Sequence, residues 1–257
     1  MSEQTSSSAA SGYEPPSEPP LPPKPAKSAS VWEDFIDIFY APSTVFERRA
    51  SSGFFLPMLV VTVLTGVLFL VNSGVLAPMM DAEMGRAVAA MQRKGTTLTP
   101  EQLDQMRSVN EKITKVVVFI VLPVGIFFTG LFLWLFGKFV ESKQTLGQAL
   151  MVSSYAFIPR VVEGVVTSVQ GLLLDPASMN GRYRISLGVG RFLDPDTTSP
   201  LLLAIVGRLD VFTIWITVLL AIGLAVTGRI PRGKAAIAAA LVWLIGALPG
   251  VLQAARM

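Results

Sequence analysis

Few residues in this chain could do chemistry in an apolar setting. Arg160 and Glu163 stand three apart, directly after Pro159, in a stretch that is otherwise greasy. On a helix, i, i+3 spacing puts both on one face, where they can pair. A lone Arg or Glu in hydrocarbon is costly, so each charge there needs a partner. Pro159 cannot donate to the carbonyl of Tyr155, which predicts a kink and a free acceptor beside the charges. In a straight helix over residues 149–174 both charges fall close to mid-bilayer. Three readings are open: a structural lock facing the helix bundle, the wall of a polar cavity for a substrate or proton, or a helix broken at Pro159 whose charges reach an interface.

Other chemistry is largely excluded. The chain has no Cys and no His. Zinc sites, haem, iron–sulfur clusters, thiol nucleophiles and Ser-His-Asp machinery therefore lack their residues. No Gly-x-x-x-x-Gly-Lys-[Ser/Thr] loop is present, Gly188-Val-Gly190 is only the opening of a dinucleotide fingerprint, and Ser153 and Ser154 have no histidine. Asp194-Pro195-Asp196 reads as a cap rather than a calcium site, because two aspartates are too few ligands. A surplus of 21 basic over 18 acidic residues is too small and scattered for a nucleic-acid binder. The expectation is a non-enzyme with no catalytic residue, metal or cofactor, binding neither nucleotide nor nucleic acid.

The surrounding elements must then be membrane spans. Charged residues are only 15% of the chain, against roughly a quarter in soluble domains. Uncharged stretches run over 54–76, 116–136, 211–228 and 235–255, each long enough to cross a hydrocarbon core. A fifth, 149–174, carries the Arg160/Glu163 pair. The fold class predicted is all-α: a polytopic bundle of five transmembrane helices (54–76, 116–136, 149–174, 209–228, 235–255), preceded by an interfacial amphipathic helix.

Residues 1–30 form a Pro/Ser-rich segment that cannot bury enough apolar surface to order itself, and it reads as a cytoplasmic tail rather than a signal peptide. Residues 31–53 read as an interfacial segment and residues 54–257 as the transmembrane domain. Trp32, Phe35, Ile36 and Phe39 share one helical stripe, with Glu33, Asp34 and Asp37 pointing elsewhere. Pro42 ends that helix. Trp32, Phe35, Phe39 and Tyr40 are the expected interfacial anchors, or a docking face for a cytosolic partner.

Arg48, Arg49, Lys138, Lys143, Arg229, Arg232 and Lys234 crowd the short connections. The two long loops, 77–115 and 175–210, mix both signs. Dense basic residues stay cytoplasmic, which puts the N-terminus inside and the C-terminus outside. Within the loops, Thr99 and Pro100 predict a helix start, and Arg182–Leu187 alternates like a strand. Asp210 reads as a cap on the fourth span and Trp215 as a packing residue one turn further in. Small residues in the last span, among them Ala235, Ala238, Ala239 and Gly246, favour close packing within the bundle or with another subunit.

Four segments carry a resemblance: Phe35-Ile36 with Ala41-Pro42-Ser43-Thr44-Val45-Phe46; Tyr155-Ala-Phe-Ile-Pro159; Leu209-Asp210-Val211-Phe212-Thr213-Ile214-Trp215 with Leu219-Leu220-Ala221-Ile222-Gly223; and Gly233-Lys234-Ala235-Ala236. In order and spacing they resemble the Yip1 domain family of five-span membrane proteins, in its bacterial form, over roughly residues 31–252. Pro42, Tyr155, Asp210, Trp215 and Gly223 are the motif positions. The resemblance implies a helical bundle with a cytosolic N-terminus, in a bacterial inner membrane. Eukaryotic relatives bind prenylated Rab GTPases and act in vesicle traffic and membrane shaping. Their Asp-Leu-Tyr-Gly-Pro signature is echoed here only by Phe39-Tyr40-Ala41-Pro42. The expected role is a non-catalytic scaffold or adaptor, with the lipid bilayer and a membrane protein or second copy as partners. The alternative is a small-solute permease, or a subunit of one, using the Arg160/Glu163 region.

Overall fold

The computed structural model describes residues 30–255. All of the Pro/Ser-rich tail except Ser30 lies outside the described residues. The chain opens with α1 (Val31–Tyr40), started by a capping box in which Ser30 and Glu33 satisfy each other's backbone N–H. Ala41 turns the chain and α2 (Pro42–Arg49) runs back. Then come α3 (Phe55–Asn72), α4 (Ala77–Arg93), α5 (Pro100–Phe139), α6 (Leu146–Ala156) and α7 (Pro159–Leu173). The C-terminal part holds α8 (Pro200–Val206), α9 (Val211–Gly228), α10 (Arg232–Ile245) and α11 (Leu248–Ala254). Five segments are long and apolar enough to cross a membrane: α3, α5, α6 with α7, α9, and α10 with α11.

The bundle packs around α6. Every residue from Ala149 to Ala156 is buried, so beyond its first turn this short helix has no free face. Lipid is as apolar as leucine, and helices in it associate by close packing at small residues. Gly130 on α5 admits Leu150 and Ser153, and Gly223 on α9 admits Val152, whose methyl would lie 2.3 Å from an added Cβ. Ala235, Ala238 and Ala239 of α10 are likewise buried within the bundle. The outer faces stay apolar and open, as at Val116, Ile120 and Val121 of α5, each more than half exposed. A soluble monomer rarely shows such a surface; lipid covers this one.

The span ends gather on two sides. On the short-turn side, Glu141 and Arg229 adopt left-handed φ of 65° and 52° to make tight connections. The two turns are laced together: Gln144 donates to Thr227 at 2.6 Å, Lys143 N–H to Gly228 O at 3.0 Å, and Lys234 reaches Glu141 at 2.5 Å. On the long-loop side, α5 begins at Pro100 with a Thr99/Gln102 capping box and continues unbroken into its span for 40 residues. The 182–187 segment forms turns, not the strand its alternation predicts. Gln170 takes the carbonyl of Ile185 and no strand lies beside it. Among the described residues the only β pairing is one bridge, Gly188 to Asp210.

Candidate functional site: two polar clusters in an apolar bundle

The first cluster lies inside the α1–α2 hairpin. Proline suits the first position of α2, where its missing N–H is no loss. The returning helix carries Arg48 and Arg49 over α1. Asp34 is fully buried. One carboxylate oxygen accepts from Arg48; the other accepts from Arg49 and, at 3.3 Å, from the Tyr155 hydroxyl of α6. Arg48 also donates to Asp37 at 2.8 Å, a bond that holds its guanidinium above the ordinary arginine range against the opposing effect of burial. A buried carboxylate persists only when paired and hydrogen-bonded. Here it joins α1, α2 and α6.

Asp34 therefore does not share the outward polar face that stripe counting assigns it. The aromatic stripe is split as well. Phe35 packs 6.0 Å from the Tyr155 ring, and Phe39 meets Trp215 edge-on at 5.2 Å. Trp32, Ile36 and Tyr40 face outward, 68%, 62% and 82% exposed. The physical reason is the second helix: once α2 folds back, the acid facing it becomes the inside of the hairpin.

Depth follows from counting rises of 1.5 Å. Ala50, just past α2, receives a hydrogen bond from Gln148 in the first turn of α6, on the short-turn side. Trp215, against which Phe39 rests, lies thirteen residues from the Gly228 end of α9, about 20 Å away. The hairpin thus runs along the bundle, its tip beyond the midpoint of α9.

The second cluster lies at the break between α6 and α7. Arg160 pairs with Glu163, and its other terminal nitrogen is 3.4 Å from Thr213 Oγ1. The Tyr155 carbonyl, predicted free, accepts from Ile158 N–H at 3.1 Å, because the chain tightens to three-residue turns through Phe157 and Ile158. The break brings the Arg160 side chain to Thr213, in the first turn of α9 on the long-loop side. Asp210 caps α9, accepting from Phe212 N–H at 2.9 Å and Thr213 N–H at 3.4 Å. Nearby, Arg208 donates to the Trp243 carbonyl at 3.2 Å and lies over its ring. Burial, and then the charge of Arg160, push the Arg208 guanidinium below its ordinary range.

Cavities of 310, 490, 670 and 280 Å³ open among α4, α5, α8, α11 and the long loops. Neither Arg160 nor Glu163 lines any of them. Sequence reasoning missed the Asp34–Arg48–Arg49–Tyr155 cluster. The available signal was two acids three apart, then Pro42, then two adjacent arginines.

No curated protein and no solved structure matches the chain. The family model of the Yip1 domain matches residues 36–252, from within α1 to α11, which takes in all five spans and leaves Asp34 just outside. With that match over most of its length, the chain belongs to the Yip1 domain family.

Proposed function

We propose that this protein is a non-catalytic scaffold or adaptor of the Yip1 type, acting through protein or lipid contacts in membrane organisation or trafficking. The observation that carries the reading is the α1–α2 hairpin. It runs along the bundle from its base on the short-turn side, tied by Asp34, and turns Trp32, Ile36 and Tyr40 outward. A hairpin so placed offers an aromatic face to acyl chains or to a partner helix. The basic residues of the short connections support a cytoplasmic short-turn side, with the N-terminus inside and the C-terminus outside, in a bacterial inner membrane. Arg160 pairs with Glu163, and neither lines a cavity, which supports contact work over solute passage.

Two measurements test this. The chain has no cysteine, so Tyr40→Cys carries a single nitroxide without interference. In a bilayer the label should collide with oxygen more than with a water-soluble nickel chelate, as a buried position does. A label as open to nickel as one placed at Ser52→Cys would show that this face does not meet acyl chains. For the role itself, Arg160→Met with Glu163→Gln should leave abundance, oligomeric state and solute uptake unchanged. Lost uptake of a solute, with abundance and assembly intact, would replace the scaffold by a permease.

A further inference from the structure

The 670 Å³ cavity on the long-loop side lies between α4, the 182–200 loop, α8 and α11. Its volume falls in the usual range of small-molecule sites, about 300–1,000 Å³. Its place follows from its lining: α4, the 182–200 loop and α8 lie outside the five spans, and α11 contributes only from Gly250 onward. The cavity therefore stands at the long-loop ends of the spans, at headgroup level.

The lining divides by chemistry. Leu203 and Ala204 of α8 contribute to an apolar wall. On the same helix Leu201, Leu202 and Ile205 are exposed, giving an apolar approach from the bilayer. The polar part holds three arginines and two carboxylates. Both carboxylates are engaged: Asp196 with Arg86 at 3.2 Å, and Glu83 with Arg86 at 3.3 Å and the Arg182 N–H at 3.1 Å. Three arginines against two carboxylates leave the lining with net positive charge. Among the described residues neither Arg93 nor Arg182 pairs its guanidinium with a carboxylate, and Arg182 lies over the Tyr183 ring. Two guanidiniums without a carboxylate partner, in a net positive lining beside an apolar wall at headgroup depth, match a group that is anionic at one end and greasy at the other.

We infer that this cavity binds the phosphate of an anionic phospholipid from the leaflet on the long-loop side, using Arg93 and Arg182, with the glycerol end against Leu203 and Ala204. The test uses the full chain in phosphatidylcholine nanodiscs containing a minor share of phosphatidylglycerol, with retained lipid counted by native mass spectrometry. Wild type should retain phosphatidylglycerol preferentially. Arg93→Gln or Arg182→Gln should each weaken retention about fivefold, and both together about twenty-five-fold. Lys112→Gln, an exposed cation elsewhere on α5, should change nothing. Ala204→Trp keeps both arginines but fills the cavity, and it should also lose the lipid; retention in this variant would reduce the site to surface charge and overturn the proposal. Inorganic phosphate at millimolar concentration should not displace the lipid. Displacement would assign the arginines to a free anion, and equal retention by wild type and the double variant would sink the site altogether.

Discussion

Asp34→Asn removes a charge from the centre of the hairpin while keeping the shape of the side chain. Breaking a buried ion pair by deleting one partner costs about 3–5 kcal/mol, because the other charge stays buried alone. Here the low end applies. Arg48 keeps Asp37 at 2.8 Å, and Arg48 and Arg49 are 26% and 18% exposed, so water screens part of what is lost. About 3 kcal/mol of docking free energy corresponds to roughly a hundredfold larger open population. Hydrogen exchange of residues 31–49 in nanodiscs reads that population directly. The amides of α1 and α2 should exchange about a hundredfold faster, while those of α6 and α9 change little. Glu33→Gln, on the exposed face, is the control. A second variant separates strength from pairing: Asp34→Leu with Arg48→Met and Arg49→Met removes the buried carboxylate and both of its arginines, leaving Asp37, 40% exposed, to water. Apolar replacement of a buried ionic group is often neutral or stabilising, so protection should return. Unchanged exchange in Asp34→Asn, or equal loosening by Glu33→Gln, would refute the claim that this carboxylate holds the hairpin.

Other expectations follow from the same packing. Gly223→Ala sets a methyl against Val152 and should destabilise the α6–α9 contact by about 1–3 kcal/mol, seen as a lower Tm in detergent. Trp215→Ala removes the seat of Phe39 and should loosen α1 by about 1 kcal/mol, with exchange rising at residues 36–41 before α2. The Lys234 hydrogen bond holds the Glu141 carboxyl below its ordinary range. A carboxyl lowered in the folded state stabilises above its unfolded value and loses that contribution as pH falls through the folded one. The tie between the two short turns should therefore persist through the usual carboxylate range. Below it, wild type and Glu141→Gln should converge in Tm; a difference surviving in stronger acid would assign the effect elsewhere.

The spans were legible because charge is absent over lengths that only a bilayer explains, and Thr99-Pro100 marked the start of α5 through local capping chemistry alone. What escaped the sequence depends on long-range return of the chain. Asp34 sits on the polar side of α1 by periodicity, and only the returning helix, with Arg48 fourteen residues later, makes that side an interior. The contact of Arg160 with Thr213 was not legible either, because it depends on the break after Ala156 that a single straight helix leaves out. The 182–187 segment alternates like a strand, but alternation needs a neighbouring edge, and Gln170 occupies the carbonyl such an edge would take.

The unbroken α5 has a mechanical consequence. Pro123 lies inside it, a natural pivot where one backbone bond is missing. From there to Pro100 is 23 residues, a rigid arm of about 35 Å. A swing of about 10° at the pivot would carry the far tip roughly 6 Å. Small shifts of lateral pressure within the bilayer would thus be geared up into displacements outside it.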